Sequence, residues 1–115
     1  NGTVVVDQNG VRMTLYEDTV QIGDGALRID ATVENGSDRD LTLEIVLAEI
    51  NGLSVLGYGV YNVYAGESVV DYIIFDAEGD AEVAAALAAP QSLRFTIWAC
   101  DINTSETFFT ADVTL

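Results

Sequence analysis

Apolar residues recur at every second position along most of this chain, the period of a β-strand with one buried and one solvated face. The clearest run is Ala26 to Ile50, ALRIDATVENGSDRDLTLEIVLAEI. Its first half alternates Leu27, Ile29, Ala31 and Val33 with Arg28, Asp30, Thr32 and Glu34. After the polar turn Asn35 to Asp40, Leu41, Leu43, Ile45 and Leu47 alternate with Thr42, Glu44, Val46 and Ala48. The pattern predicts a central hairpin. Its second strand loses polar partners beyond Val46, which predicts a loop or neighbouring segment covering the outer face there.

The same period places a first hairpin at Thr3–Asp7 and Val11–Glu17, joined by the turn former Asn9-Gly10 and extending through Ile22 until Gly23, Asp24 and Gly25 break it. Asn51-Gly52 marks another turn, followed by a strand over Val55–Tyr64 that Gly57 and Gly59 weaken into an edge or a bulge. Ser68–Phe75 is apolar on both faces and predicts a central strand. Ser92–Cys100 carries Leu93, Phe95, Ile97 and Ala99 on one face, with Trp98 and Cys100 together on the other. Thr107–Leu115 closes the series, with Phe109, Ala111, Val113 and Leu115 on one face and Phe108, Thr110, Asp112 and Thr114 on the other.

One helix interrupts the strands, over about residues 80–89. Asp80 stands as its N-cap, Glu82 sits at the positive end of its dipole, and Ala81 to Ala89 favours helix until Pro90 stops it. Val83 with Leu87, and Ala84 with Ala88, form the predicted inward stripe. About eight strands with short turns predict an all-β chain, an antiparallel β-sandwich, with a closed barrel as the alternative. The 115 residues suffice for one domain, 1–115, with its own core.

Charge narrows the partners. Nineteen acidic residues face four basic ones, all arginine, for a net charge of -15. Nucleic acid and anionic headgroups are excluded as partners, because binding phosphate needs clustered Lys or Arg. No apolar run is long enough for a helix to cross a bilayer, so this segment makes no direct membrane insertion. Self-repulsion of this size is relieved by salt, which also suits a halophile's protein. The chain starts at Asn1 without a signal core, so a signal or anchor is expected upstream of residue 1.

Histidine and lysine are both absent, and Cys100 is the single cysteine. These absences remove the Ser-His and Cys-His pairs, the Schiff-base lysine and the imidazole metal ligands, so no catalytic residue and no cofactor is assigned. Cys100 is read as a small buried hydrophobe. Three features remain as candidate chemistry. Asp76, Glu78 and Asp80 have the alternate spacing of calcium ligands, without the glycine and distal glutamate of an EF-hand, against the plainer reading of a solvated turn that caps the helix. Tyr58, Tyr61 and Tyr64, with Tyr72 and Trp98, are candidates for ligand binding by ring stacking, against the plainer reading of inter-sheet packing. Tyr58 and Tyr64 share strand parity while Tyr61 points the other way, so one flat platform requires a bulge. Asn1, Asn35 and Asn103 each begin a glycosylation sequon.

Four stretches carry a family resemblance: Ile29–Leu43, the Val-Tyr-Ala-Gly-Glu-Ser segment ending at Ser68, the short helix leading to Leu93–Ile97, and Thr107–Leu115. Within the first, Val33, Asn35, Ser37 and Leu41 fit a V-x-N-x-S-x-x-x-L pattern. The chain resembles the immunoglobulin-like accessory domains of secreted or lipid-anchored proteins of Gram-positive anaerobic bacteria. The resemblance implies an immunoglobulin-like sandwich forming part of a longer polypeptide, located in the extracellular space or cell envelope, with no assigned activity. The expected function is a non-enzymatic accessory or protein-interaction domain, with strand addition along Val55–Tyr64 and a protein or cell-wall glycan as partner. A carbohydrate- or calcium-binding module is the alternative.

Overall fold

Two-residue turns set the first local pairings. Asn9-Gly10, Asp24-Gly25 and Asn51-Gly52 have positive φ at both residues, 53° and 82°, 53° and 75°, and 51° and 81°. That backbone twist matches the twist of flanking antiparallel strands, and Asn, Asp and Gly tolerate it best. In the computed structural model, which describes residues 1–115, they join β1 (Thr3–Gln8) to β2 (Val11–Gly23), β2 to β3 (Ala26–Asn35), and β4 (Leu41–Ile50) to β5 (Leu53–Ser54). The remaining elements are β6 (Leu56–Gly59), β7 (Asn62–Val63), β8 (Ser68–Asp76), α1 (Ala81–Ala88), β9 (Leu93–Asp101) and β10 (Thr107–Thr114).

The strands form two antiparallel sheets, β1-β2-β3-β8-β6 and β10-β9-β4-β5, with β7 also paired to β4. This is an immunoglobulin-like β-sandwich, not a closed barrel. The alternating positions do what their period predicts: Leu27, Ile29, Ala31 and Val33 from one sheet meet Leu41, Leu43, Phe95, Ile97 and Ala99 from the other in a single cluster of 26 buried residues. Phe75 of β8 and Phe95 of β9 touch across the layers, ring centroids 5.5 Å apart.

The central segment departs from its predicted pairing. β3 and β4 lie in different sheets, so Ala26 to Ile50 is an arch between layers and not a hairpin. Asn35, 1% exposed, is the reason. Its Nδ2 donates to the carbonyls of Arg39 (2.8 Å) and Val63 (2.9 Å), and its Oδ1 accepts from the Ser37 N–H (3.0 Å) and hydroxyl (2.6 Å). A buried amide saturated this way holds the chain in a turn too wide for strands to pair directly.

The apolar character of β4 beyond Val46 has a different cause from the cover expected. Val46 pairs with Thr96 and Glu49 with Arg94, so Leu47 and Ala48 together oppose Phe95 in a β-bulge, with Leu47 at φ 52°. The bulge reverses strand parity. Ala48 and Ile50 turn inward, and Leu47, predicted inside, is 82% exposed. In β2, the ladder to β3 shifts between Tyr16 and Gln21, and Thr19 bridges the gap: its hydroxyl donates to the Tyr16 carbonyl (2.6 Å) and accepts from the Asp30 N–H (3.0 Å).

Helix α1 crosses from β8 of one sheet to β9 of the other. Asp80 Oδ1 accepts from the N–H groups of Glu82 (2.9 Å) and Val83 (3.1 Å), the expected cap. Its buried stripe is Val83, Ala86 and Leu87; Ala84 is half-buried and Ala88, predicted inward, is exposed. Ala84 still packs against the core, whereas Ala88 ends the helix in its last turn, outside the buried stripe.

Candidate functional site

The predicted strand Val55–Tyr64 is where sequence and structure diverge most, and it builds the site. Instead of one strand it forms β6 in one sheet and β7 in the other, after β5 has paired with β4. The crossing is made at Val60, buried and at φ 52°, a conformation a β-branched residue adopts only under constraint. The constraint is visible on both sides. Gly59 lies so close to the Tyr72 carbonyl that no side chain fits there, and the Tyr61 carbonyl accepts from the Leu43 N–H of the opposite sheet at 2.8 Å.

Because the chain leaves the sheet at Val60, β6 covers only part of β8. Leu56 to Gly59 pair with Asp76 to Ile73, whereas Ser68 to Tyr72 have β3 on one side and no strand on the other. The Tyr72 N–H, at the first uncovered position, is taken by Asp71 Oδ1 at 2.8 Å. By the alternation of an antiparallel ladder, Val70 directs its own backbone groups to the same open side. Its side chain is 84% exposed. β8 is central along its second half, as its sequence predicts, but its outer face is solvated rather than covered.

A groove of about 250 Å³ lies at this step, lined by Tyr58, Val60, Tyr61, Asp71, Tyr72 and Ile74 around Gly59. Of the four tyrosines proposed from sequence, the structure brings Tyr58, Tyr61 and Tyr72 together; Tyr64 lies outside the groove, beside the Glu67 turn, its N–H bonded to Glu67 Oε1 at 3.3 Å. The kink at Val60 is what places Tyr58 and Tyr61 in one groove despite their opposite parity. All four tyrosines and Trp98 are exposed, so the packing reading of these rings is corrected. Trp98 lies on the outer face of β9, its indole N–H donating to the Thr107 hydroxyl at 3.0 Å.

The electrostatics of the groove are one-sided. The Tyr58 hydroxyl donates to Glu78 Oε1 at 2.6 Å, and this bond, with some burial and the charges of Glu78 and Asp76, holds the phenol above its ordinary pKa. No basic residue lines the groove. Arg28 of β3 lies against one of its rings, the guanidinium carbon 4.0 Å over the Tyr72 ring centroid.

Asp76, Glu78 and Asp80 do not converge. Asp76 Oδ1 accepts from the Glu78 N–H (2.8 Å), Glu78 from Tyr58, and Asp80 caps α1, so each carboxylate already has a protein partner. No group of three or more His, Cys, Asp or Glu side chains is placed to hold a metal ion. Half-buried Cys100 has its thiol pushed above the ordinary value by burial and by the charge of Glu44, against a lowering contact with Thr107, so it stays protonated at neutral pH.

Sequence reasoning passed over one further polar site. Asp101, almost fully buried at the end of β9, accepts from Arg39 Nη1 at 3.0 Å and from the N–H groups of Asn103 (2.8 Å) and Thr104 (3.1 Å). The Arg39 hydrogen bond, aided by the two backbone donors and opposed by burial, holds its carboxyl below the usual range. This cluster ties the β9–β10 turn to the β3–β4 arch. The sequence signal was an isolated Asp ending an apolar strand before a turn rich in Asn, Thr and Ser.

No protein-family model matches this chain, and no curated protein does. Among solved structures it is similar to the GAE domain of yeast GGA1, with a TM-score of 0.56 at 11% identity, covering 100% of this chain and 98% of that one. The GAE domain of GGA2p from Saccharomyces cerevisiae aligns with a TM-score of 0.47 at 16% identity, over 100% and 96% of the two chains. The first likeness is one of fold, the immunoglobulin-like sandwich.

Proposed function

We propose that this chain is a non-catalytic protein-interaction domain, an accessory part of an extracellular or cell-envelope protein, which takes an extended segment of a partner protein along the bare edge of β8. The observation that carries the reading is the unpaired run Ser68–Tyr72, in line with β6 and bordered by the tyrosine groove. A strand added there continues the sheet from where Val60 leaves it, satisfies open backbone groups and covers Val70. The net charge of -15 favours a basic partner and disfavours a second copy of this chain. The envelope location rests on the resemblance of Ile29–Leu43 and Thr107–Leu115 to bacterial accessory domains. The missing histidine and lysine support the non-catalytic reading by removing the commonest general bases and amine nucleophiles.

Peptides selected by display against the domain, followed by amide NMR mapping, test the docking. Binders are expected to shift Val69 to Tyr72. The Val70→Pro variant, which removes an N–H on the open side while sparing the β3 ladder, is expected to keep its melting transition and lose them. Selected peptides that map to another face would sink the proposal. Protease accessibility on intact source cells tests the location, and full protection inside the cytoplasm would refute it.

A further inference from the structure

We propose that the groove beside Gly59 is a specificity pocket for one cationic side chain, arginine or lysine, of the docked strand; this rests on the strand-docking reading above. Gly59 pairs with Ile73, so the next place along the β8 edge, beside Asp71 and Tyr72, is the first that an incoming strand fills. A residue seated there, with its side chain on the outer face, lies against the Tyr72 ring, between the tyrosines that line the groove. Rings present negative faces, and guanidinium and ammonium groups are the side chains that such faces attract. The protein already shows this chemistry once: Arg28 packs on the Tyr72 ring at 4.0 Å, reaching it from β3, on the opposite flank of β8 from the groove.

Charge selects the same ligand. Asp71 spends Oδ1 on the Tyr72 N–H and leaves Oδ2 without a hydrogen bond, so one carboxylate oxygen at the wall of the groove is free to accept from an incoming N–H donor. The Tyr58 hydroxyl is engaged by Glu78, which fixes that ring and leaves Asp71 as the one carboxylate lining the groove. An acidic side chain entering here meets Asp71 without any lining cation, and a neutral one packs on the rings but gains no charge attraction from their negative faces or from Asp71. The pocket therefore discriminates by charge, while the β8 edge supplies sequence-independent backbone bonds.

The test uses the whole domain and two synthetic heptapeptides of alternating Thr and Val, identical except for a central arginine or its neutral isostere citrulline, titrated by amide and aromatic NMR. The arginine peptide is expected to bind about tenfold more tightly than the citrulline peptide at low salt. That preference should shrink below about threefold in 0.5 M NaCl, in Asp71→Asn, which keeps the acceptor for the Tyr72 N–H, and in Tyr61→Leu. Unchanged melting temperatures of both variants would show that the loss is local. Equal affinity of the two peptides, both shifting Val69 to Tyr72, overturns the cation pocket and leaves strand docking standing. Arginine amide shifting the Tyr61 and Tyr72 rings while neither peptide moves the β8 amides overturns strand docking and leaves the pocket. Silence from all three probes overturns both. Chitohexaose shifting the rings where arginine amide does not makes the groove a sugar platform and overturns the cation assignment.

Discussion

Replacing Asn35 with alanine tests the account of the fold at its most connected point. The side chain removed donates to two carbonyls, of Arg39 in the arch and of Val63 in β7, and holds Ser37 through Oδ1. Each lost donor bond costs about 1 kcal/mol net, and leaving the part-buried Ser37 N–H without its Oδ1 acceptor adds roughly 1–3 kcal/mol. The expected loss is about 3–5 kcal/mol, which at about 4 °C per kcal/mol for a domain of this size lowers Tm by roughly 12–20 °C. Urea denaturation followed by far-ultraviolet circular dichroism, with calorimetry for Tm, reads both quantities. Asn35→Asp separates donor loss from cavity formation. It keeps the volume and the acceptor for Ser37 but turns an oxygen toward two carbonyls. At pH 7 it is expected to be at least as damaging as alanine, and to recover in part at acid pH, where the protonated carboxyl donates again. An alanine variant that loses less than about 1 kcal/mol, a surface-mutation value, refutes the role of Asn35 in holding the arch. So does an aspartate variant more stable than alanine at pH 7.

Three further outcomes follow from particular residues. Asp101 has its folded pKa lowered, chiefly by Arg39, so its stabilisation is fully present above the ordinary carboxylate value of about 3.9 and is lost as pH falls through the lower folded value. Asp101→Asn should flatten the acid limb of the urea midpoint against pH below that value, and an unchanged limb would contradict the assignment. Leu47 holds φ 52° with its side chain in solvent, so Leu47→Asn, a residue that tolerates this conformation, should stabilise by about 0.5–1 kcal/mol in the same denaturation assay; a loss of stability would mean that the exposed leucine has a packing role. In a glycosylating secretory host, mass spectrometry should find glycan on Asn103, in an exposed turn, and none on Asn35, whose amide is buried and fully bonded. Occupancy at Asn35 in folded protein would show that the arch opens.

Two rules of pattern made much of the sandwich legible in the sequence. Strict alternation found the buried faces of β3, β9 and most of β10, because a strand's side chains have no other choice of side. Dipeptides with two left-handed residues found the turns. What alternation cannot register is a residue that changes the count. Leu47 and Val60 take positive φ without being Gly, Asn or Asp, so nothing in their identity announces the bulge in β4 or the sheet crossing after β6. Past each of them parity inverts or pairing changes sheets, and an expectation carried forward in register fails there: Leu47 is predicted inside and lies outside, and Val55–Tyr64 is predicted continuous and is divided. Partner choice has the same limit. Asn35 to Asp40 reads as a turn in either arrangement, and only the buried amide of Asn35 reaching Val63, 28 residues away, distinguishes an arch from a hairpin.

Those unannounced positions also account for the site. Had β6 continued past Gly59, Ser68–Tyr72 would be paired, Tyr61 would stand on the face opposite Tyr58, and no groove would exist. The strain at Val60 is stable because the chain on either side is fixed, by Gly59 against the Tyr72 carbonyl and by the Tyr61 carbonyl on Leu43. An uncovered edge is a hazard in any β-protein, since identical chains pair along it. Here the edge is guarded in two ways. Asp71 occupies the Tyr72 N–H, which an incoming strand must displace, and a net charge of -15 repels every other copy. Both guards are electrostatic and of one sign. A strand bearing positive charge is drawn by the field that excludes self, and its cation engages the same Asp71 carboxylate whose backbone bond the strand must replace.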